Sequence, residues 1–152
     1  MNKKALQCAQ IAKKTGVFLP ASTVPPPSSG WVNAIRTALG MTLEQLAKKL
    51  GVSKQNIQRL EKSEQEKSIA LKSLHELAEA LDMQLVYGFV PKDGSIDALI
   101  DRKASRLAYE IVHRTSQSML LEDQEISYGR LQQALEERKQ EIIEKMSKSL
   151  WD

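Results

Sequence analysis

Three residues inside TLEQLAKKLGVSKQNIQRLE, the stretch Thr42 to Glu61, constrain the fold more than any others. They are Ala47, Gly51 four positions later and Ile57 six beyond that. Apolar side chains recur at helical spacing on both sides of Gly51, so the segment predicts two helices that meet at a sharp turn. Ala47 falls where the helices cross, and a longer side chain there would hold them apart. Gly51 supplies the positive φ that the chain needs to leave the first helix after Leu50. Ile57 plugs the second helix onto the first. Leu46, Leu50, Val52 and Leu60 complete the internal face, and Ser53 is placed to cap the second helix with its hydroxyl.

The flanks continue the pattern. Helical segments at Trp31–Leu39, Thr42–Leu50, Ser53–Lys62 and Ile69–Leu81 are separated by Gly40, Gly51 and the polar run Ser63 to Ser68, which predicts a compact bundle over residues 31–82. Before it, residues 1–30 read as a basic helix, Asn2 to Thr15, closed by Thr15-Gly16, and then a proline-rich linker, PASTVPPPSSG, in extended geometry. After it, MQLVYGFV within residues 83–91 reads as an edge strand stopped by Pro91, although Gly88 weakens it. In residues 92–152 two further helices are expected. Ile96, Leu99, Ile100, Leu107, Ile111 and Val112 form one stripe, with Ser95 as its N-cap, and Ile126, Leu131, Leu135, Ile142 and Met146 form the next. These stripes are core, shared either within the chain or with another one, and Met119, Met146 and Trp151 are possible partner anchors. The expected fold class is mainly α: a helix-turn-helix bundle with one short β-strand and two additional C-terminal helices.

Composition narrows the function classes. The chain has 152 residues, 27% of them charged and 5% aromatic, which suits a helical protein with an aliphatic core. Its net charge of +3 is unevenly spread. Residues 1–15 carry Lys3, Lys4, Lys13 and Lys14 with no acid, residues 31–90 are close to balanced, and residues 91–152 are slightly acidic. Cys8 is the single cysteine, so no internal disulfide forms, and no Cys/His spacing suggests a metal site. With neither a signal-like stretch nor a long apolar run, the expected location is cytoplasmic. No nucleophile with its base, phosphate loop or catalytic carboxylate pair is visible, so neither catalytic residue nor cofactor is assigned. His75 and His113 read as packing or surface residues, and Glu64 and Glu66 as members of a polar loop.

The outward face of the second motif helix presents Lys54, Gln55, Asn56, Gln58 and Arg59. Asn and Gln can pair bidentately with adenine, and Arg or Lys with guanine, which points to double-stranded DNA. On these residues Thr42 to Glu61 resembles the phage-repressor-like Xre family of helix-turn-helix domains, over roughly Trp31 to Leu81. The resemblance implies base contacts from Lys54, Gln55 and Arg59, and a phosphate at the helix that Thr42 starts. It also implies an ion pair between Arg36 and Glu61, with Arg36 near the DNA backbone. Ser53, Asn56 and Gln58 complete the expected DNA-contacting set. Lys54 departs from the glutamine often found there in phage repressors, so base preference does not transfer.

A narrower resemblance spans most of the chain. PPPSSGWVNAIRTALGMTLEQLAKKLGVS, LEKSE, SIALKSLHELAEALDMQLVYGFVP, SMLLEDQ and the ending LWD are similar to the mobile mystery protein A family. That family implies a regulator encoded beside a Fic-domain protein, and hence the antitoxin of a toxin–antitoxin pair that represses its own operon. The alternative it implies is an antitoxin acting mainly by binding a Fic-type toxin, with DNA binding secondary. Small Fic antitoxins carry an inhibitory Ser/Thr, three residues, then Glu followed by Gly or Asn, whereas no glutamate here precedes Gly or Asn. One domain of this size covers few base pairs, so a homodimer on a two-fold operator is expected, its surface either residues 84–90 or the C-terminal helices.

Overall fold

The computed structural model describes residues 2–121 and 127–152, with backbone alone for 119–121. The side chain of Met119, residue Ile126 and much of SMLLEDQ therefore lie outside the described residues. In chain order the α-helices are α1 (Lys3–Phe18), α2 (Trp31–Ala38), α3 (Leu43–Leu50), α4 (Lys54–Gln65), α5 (Leu71–Ala80), α6 (Ile96–Leu121) and α7 (Tyr128–Lys145). They fall into two compact units. One is Thr23–Tyr87, which holds α2 to α5, and the other joins the chain up to Ser22 with Gly88 onward. Among the described residues, no helix is long and apolar enough to cross a membrane.

In the Thr23–Tyr87 unit the core is Val32, Leu46, Ala47, Ile57, Leu77 and Leu81, with Ile35, Leu50, Leu60 and Leu74 packed around it. Full burial of side chains such as Leu46, Ile57 and Leu77 stabilises the unit by about 1.5–3 kcal/mol each. Gly51 ends α3 in the left-handed region, at φ 68° and ψ 33°. Val52, expected inside, lies in the turn and is exposed. Its amide donates to the Ala47 carbonyl and closes the end of α3, which turns the side chain outward. Past Lys62, α4 continues to Gln65. The return to α5 is made by Lys67, at φ 61°, and by Ser68 and Ile69, whose amides both donate to the Ser63 carbonyl.

The expected edge strand is not formed: the described residues are helical or irregular, with no strand among them. A strand exists through its ladder of hydrogen bonds, and alternation of apolar residues in MQLVYGFV brings no partner for one. Instead Met83, Gln84, Leu85 and Val86 line a cleft with Trp31, Val32 and Ile35 of α2 and Leu74, Ala78 and Leu81 of α5. Tyr87 meets the His75 ring edge-on, with centroids 6.1 Å apart.

In the other unit, α7 runs back along α6. Ala104 and Ala108, one turn apart and buried, let α7 approach closely, and they form a core with Ile142 and Leu150. Lys139 spans the pair, its ammonium 3.2 Å from Asp101 on α6 and 3.3 Å from Glu136 on its own helix. The Asp101 hydrogen bond, followed by that to Glu136, raises the Lys139 pKa above the ordinary lysine value. Ser95 caps α6 by accepting from the Ala98 amide, and a 3-10 turn, Lys148–Trp151, seats Leu150 in the core. Trp151 itself is about half exposed.

At its N-terminal end, α1 packs on α6. The helix does not stop at Thr15-Gly16: it runs through to Phe18 and passes into a 3-10 turn, Leu19–Thr23, so the proline-rich segment begins coiled rather than extended. Pro20 at the start of such a turn gives up no amide that the turn needs. Phe18 lies directly over Gly88. A Cβ at position 88 would stand 2.7 Å from Cδ2 and 2.8 Å from Cγ of that ring, so the glycine is a close-packing site rather than a defect in a strand. Gly88→Ala is expected to destabilise the protein by about 1–3 kcal/mol, seen as a lower thermal midpoint. An unchanged midpoint would show that the ring moves aside freely.

Candidate nucleic-acid interface

The candidate surface is built on the starts of α3 and α4. Thr42 and Gln45 form a reciprocal capping box: the Thr42 hydroxyl accepts from the Gln45 amide at 3.1 Å, and the Gln45 side chain accepts from the Thr42 amide at 2.8 Å. Ser53 accepts from the Asn56 amide at 3.1 Å and starts α4. Both caps are exposed. Each capped end presents backbone N–H groups and the positive end of a helix dipole to solvent, which suits phosphate.

Helix α4 is anchored from behind by three residues at successive turns of one face. Ile57 is fully buried. Glu61, 8% exposed, places Oε1 2.6 Å from Arg36 Nε, while its Oε2 accepts from Arg36 Nη2 at 3.2 Å and from Asn33 Nδ2 at 2.9 Å. Arg36 Nη1 donates to the Met41 carbonyl at 2.9 Å. The arginine side chain is 12% exposed, and all three of its nitrogen atoms are engaged within this unit. The third anchor is Glu64. Its carboxylate accepts from the amides of Trp31 at 2.7 Å and Val32 at 2.9 Å, and so caps α2, whose N-cap residue Gly30 has no side chain to do it. Gly30 sits at φ 88°, and a Cβ there would also stand 3.1 Å from the Glu64 carboxyl.

With Ile57, Glu61 and Glu64 turned inward, Lys54, Gln55, Gln58 and Arg59 are exposed on α4, and Asn56 is half-buried beside them. Two contacts shape this face. Lys54 Nζ lies 2.9 Å from Oε1 of Glu44, in the first turn of α3, and Arg59 Nη2 donates to Asn56 Oδ1 at 2.7 Å. The Lys54 hydrogen bond is the main cause that holds the Glu44 carboxyl below its ordinary pKa. Lys48 and Lys49 are exposed on the last turn of α3 and add positive charge.

Lys54, Gln55, Asn56, Gln58 and Arg59 thus follow the Ser53 cap on α4, Lys54 reaches Glu44 in the turn that Thr42 caps, and Arg36 is held by Glu61 on the buried side of α4. Residues 32–87 match the helix-turn-helix family model of the Xre type. That stretch, about a third of the chain, is similar to a helix-turn-helix domain. That family is one of DNA-binding regulatory domains rather than of enzymes. No curated protein and no solved structure matches the chain.

Sequence reasoning missed Glu44, Asn33 and Glu64. Glu44 carried only the weak signal of an acid in a first helical turn, and Asn33 carried none. Glu64, read as part of a polar loop, falls three residues after Glu61 on a helix that continues, and that spacing is the signal that would have found it. The anchors generate a graded expectation. Arg36→Ala leaves a buried carboxylate without its charge partner and is expected to cost about 3–5 kcal/mol. Glu64→Ala removes a helix cap and is expected to cost about 0.5–2 kcal/mol. Denaturant unfolding of both variants checks the order, and equal losses would show that the buried pair is no stronger than the cap.

Proposed function

We propose that the protein is a sequence-specific transcription regulator that places α4 in the major groove of an operator and reads it through Lys54, Gln55, Gln58 and Arg59. The observation that carries the reading is the exposed polar face of α4, which follows the Ser53 cap and is fixed from behind by Ile57, Glu61 and Glu64. Phosphate contacts from the starts of α3 and α4, from the Thr42 and Ser53 hydroxyls and from Lys48 and Lys49 set the register and make affinity fall with salt. Base-edge contacts from α4 then supply discrimination.

The working form is a homodimer on a two-fold operator, its half-sites about one helical turn, ~34 Å, apart. With no strand at residues 84–90, the region after residue 92 is the proposed dimerisation and partner-binding surface. A narrower role, the antitoxin that represses its own operon and meets a Fic-domain toxin, rests on the resemblance to mobile mystery protein A. A neighbouring gene that encodes no Fic or other toxin domain would remove the ground for it.

Selection of bound duplexes from a random pool tests the function directly, and a two-fold motif is the expected product. Recovery of unrelated sequences would reject sequence-specific reading. On the selected site, Gln55→Ala is expected to lose about 1–3 kcal/mol and to relax preference at one base pair, with binding to random DNA little changed. An equal loss on random DNA would show that Gln55 contacts the backbone instead. A monomeric mass with and without the selected duplex would reject the dimer.

A further inference from the structure

Asn56 and Arg59 stand three residues apart on α4, which makes them neighbours on the helix surface. Each is of a type that reads bases by itself: an amide matches adenine through its oxygen and its nitrogen together, and a guanidinium matches guanine through two N–H groups. The amide oxygen of Asn56, however, already accepts from Arg59 Nη2 at 2.7 Å. The oxygen keeps a second lone pair, but the bond commits the plane of the Asn56 amide to Arg59 rather than leaving it free to align with an adenine edge. Asn56 is also the less accessible of the two, half-buried where Arg59 is exposed, and it sits in the first turn of α4, where its backbone N–H donates to the Ser53 hydroxyl. Arg59 keeps most of its five N–H donors for an outside acceptor while one bond fixes the plane of its fork. A long side chain restrained before contact loses less conformational freedom when it binds.

We propose that Asn56 is a positioning residue for Arg59 and not an independent base reader, so that two side chains of α4 account for one base preference. The proposal rests on the DNA-reading role given above. It differs from a purely structural role for Asn56 in what it predicts for base preference rather than for folding.

The test uses the full chain and selection from random duplexes, with wild-type protein, Asn56→Ala, Arg59→Ala and the double variant. Both single variants are expected to relax preference at the same base pair, by about tenfold, and the double variant no further than Arg59→Ala alone. The thermal midpoint of Asn56→Ala is expected to stay at the wild-type value. Asn56→Asp, which keeps the acceptor, is expected to retain the preference while binding all duplexes more weakly, because it adds a negative charge. A sharp wild-type site at which Asn56→Ala and Arg59→Ala affect different base pairs, or at which Asn56→Ala changes none, would overturn the inference and leave the DNA-reading role standing. A wild-type protein that enriches no sequence would overturn both.

Discussion

The contact on which the exposed face of α4 depends is the ion pair of Arg36 and Glu61. Glu61 is the buried charged residue of the described core, and a carboxylate withdrawn from water is tolerated only when its oxygen atoms are satisfied. Here one oxygen faces Arg36 Nε and the other accepts from Arg36 Nη2 and Asn33. The guanidinium also reaches the Met41 carbonyl just ahead of α3, so one side chain ties α2, α4 and the entry to α3 together. Directional hydrogen bonds do here what apolar packing alone does less well: they set the rotation of α4 about its own axis. Ile57 and Glu64 hold the same face one turn on either side, and the exposed face of the helix follows by exclusion.

That rotation decides which side chains of α4 face solvent. Lys54, Gln55, Gln58 and Arg59 are exposed because they are what remains once the inner face is fixed. Their electrostatics are not those of isolated cations, however. Glu44 neutralises part of the charge of Lys54, and Asn56 restrains Arg59. The unshared positive potential near the turn comes from helix starts and from Lys48 and Lys49, groups that suit phosphate rather than base edges.

The second unit follows a simpler rule. Its close helix pairing is set by the two smallest apolar side chains on the inner face of α6, Ala104 and Ala108, against Ile142 of α7, with Leu150 closing the end. A stripe counted from Leu and Ile alone passes over those alanines, yet they fix how near the two axes come. The N-terminal helix belongs to this unit and packs on α6, although almost the whole chain separates it from the C-terminal turn.

What the sequence determined by itself was local. The helices, the turn at Gly51, the caps at Thr42 and Ser53 and the burial of Leu46, Ala47 and Ile57 each follow from residues within a few positions of one another, where spacing and stereochemistry suffice. The Arg36–Glu61 pairing was legible as well, but only through a family likeness. Tertiary structure decided whatever depends on a distant partner. The apolar run Met83 to Val90 has the alternation of a strand but no neighbour to pair with. Gly88 is required by the Phe18 ring far earlier in the chain. Glu64, in a stretch that reads as polar loop, closes the start of α2. Periodicity reports which face of an element is apolar, not what that face will meet. For that reason the helix after the Gly51 turn could be placed from sequence, while the bonds that orient it and couple its side chains could not.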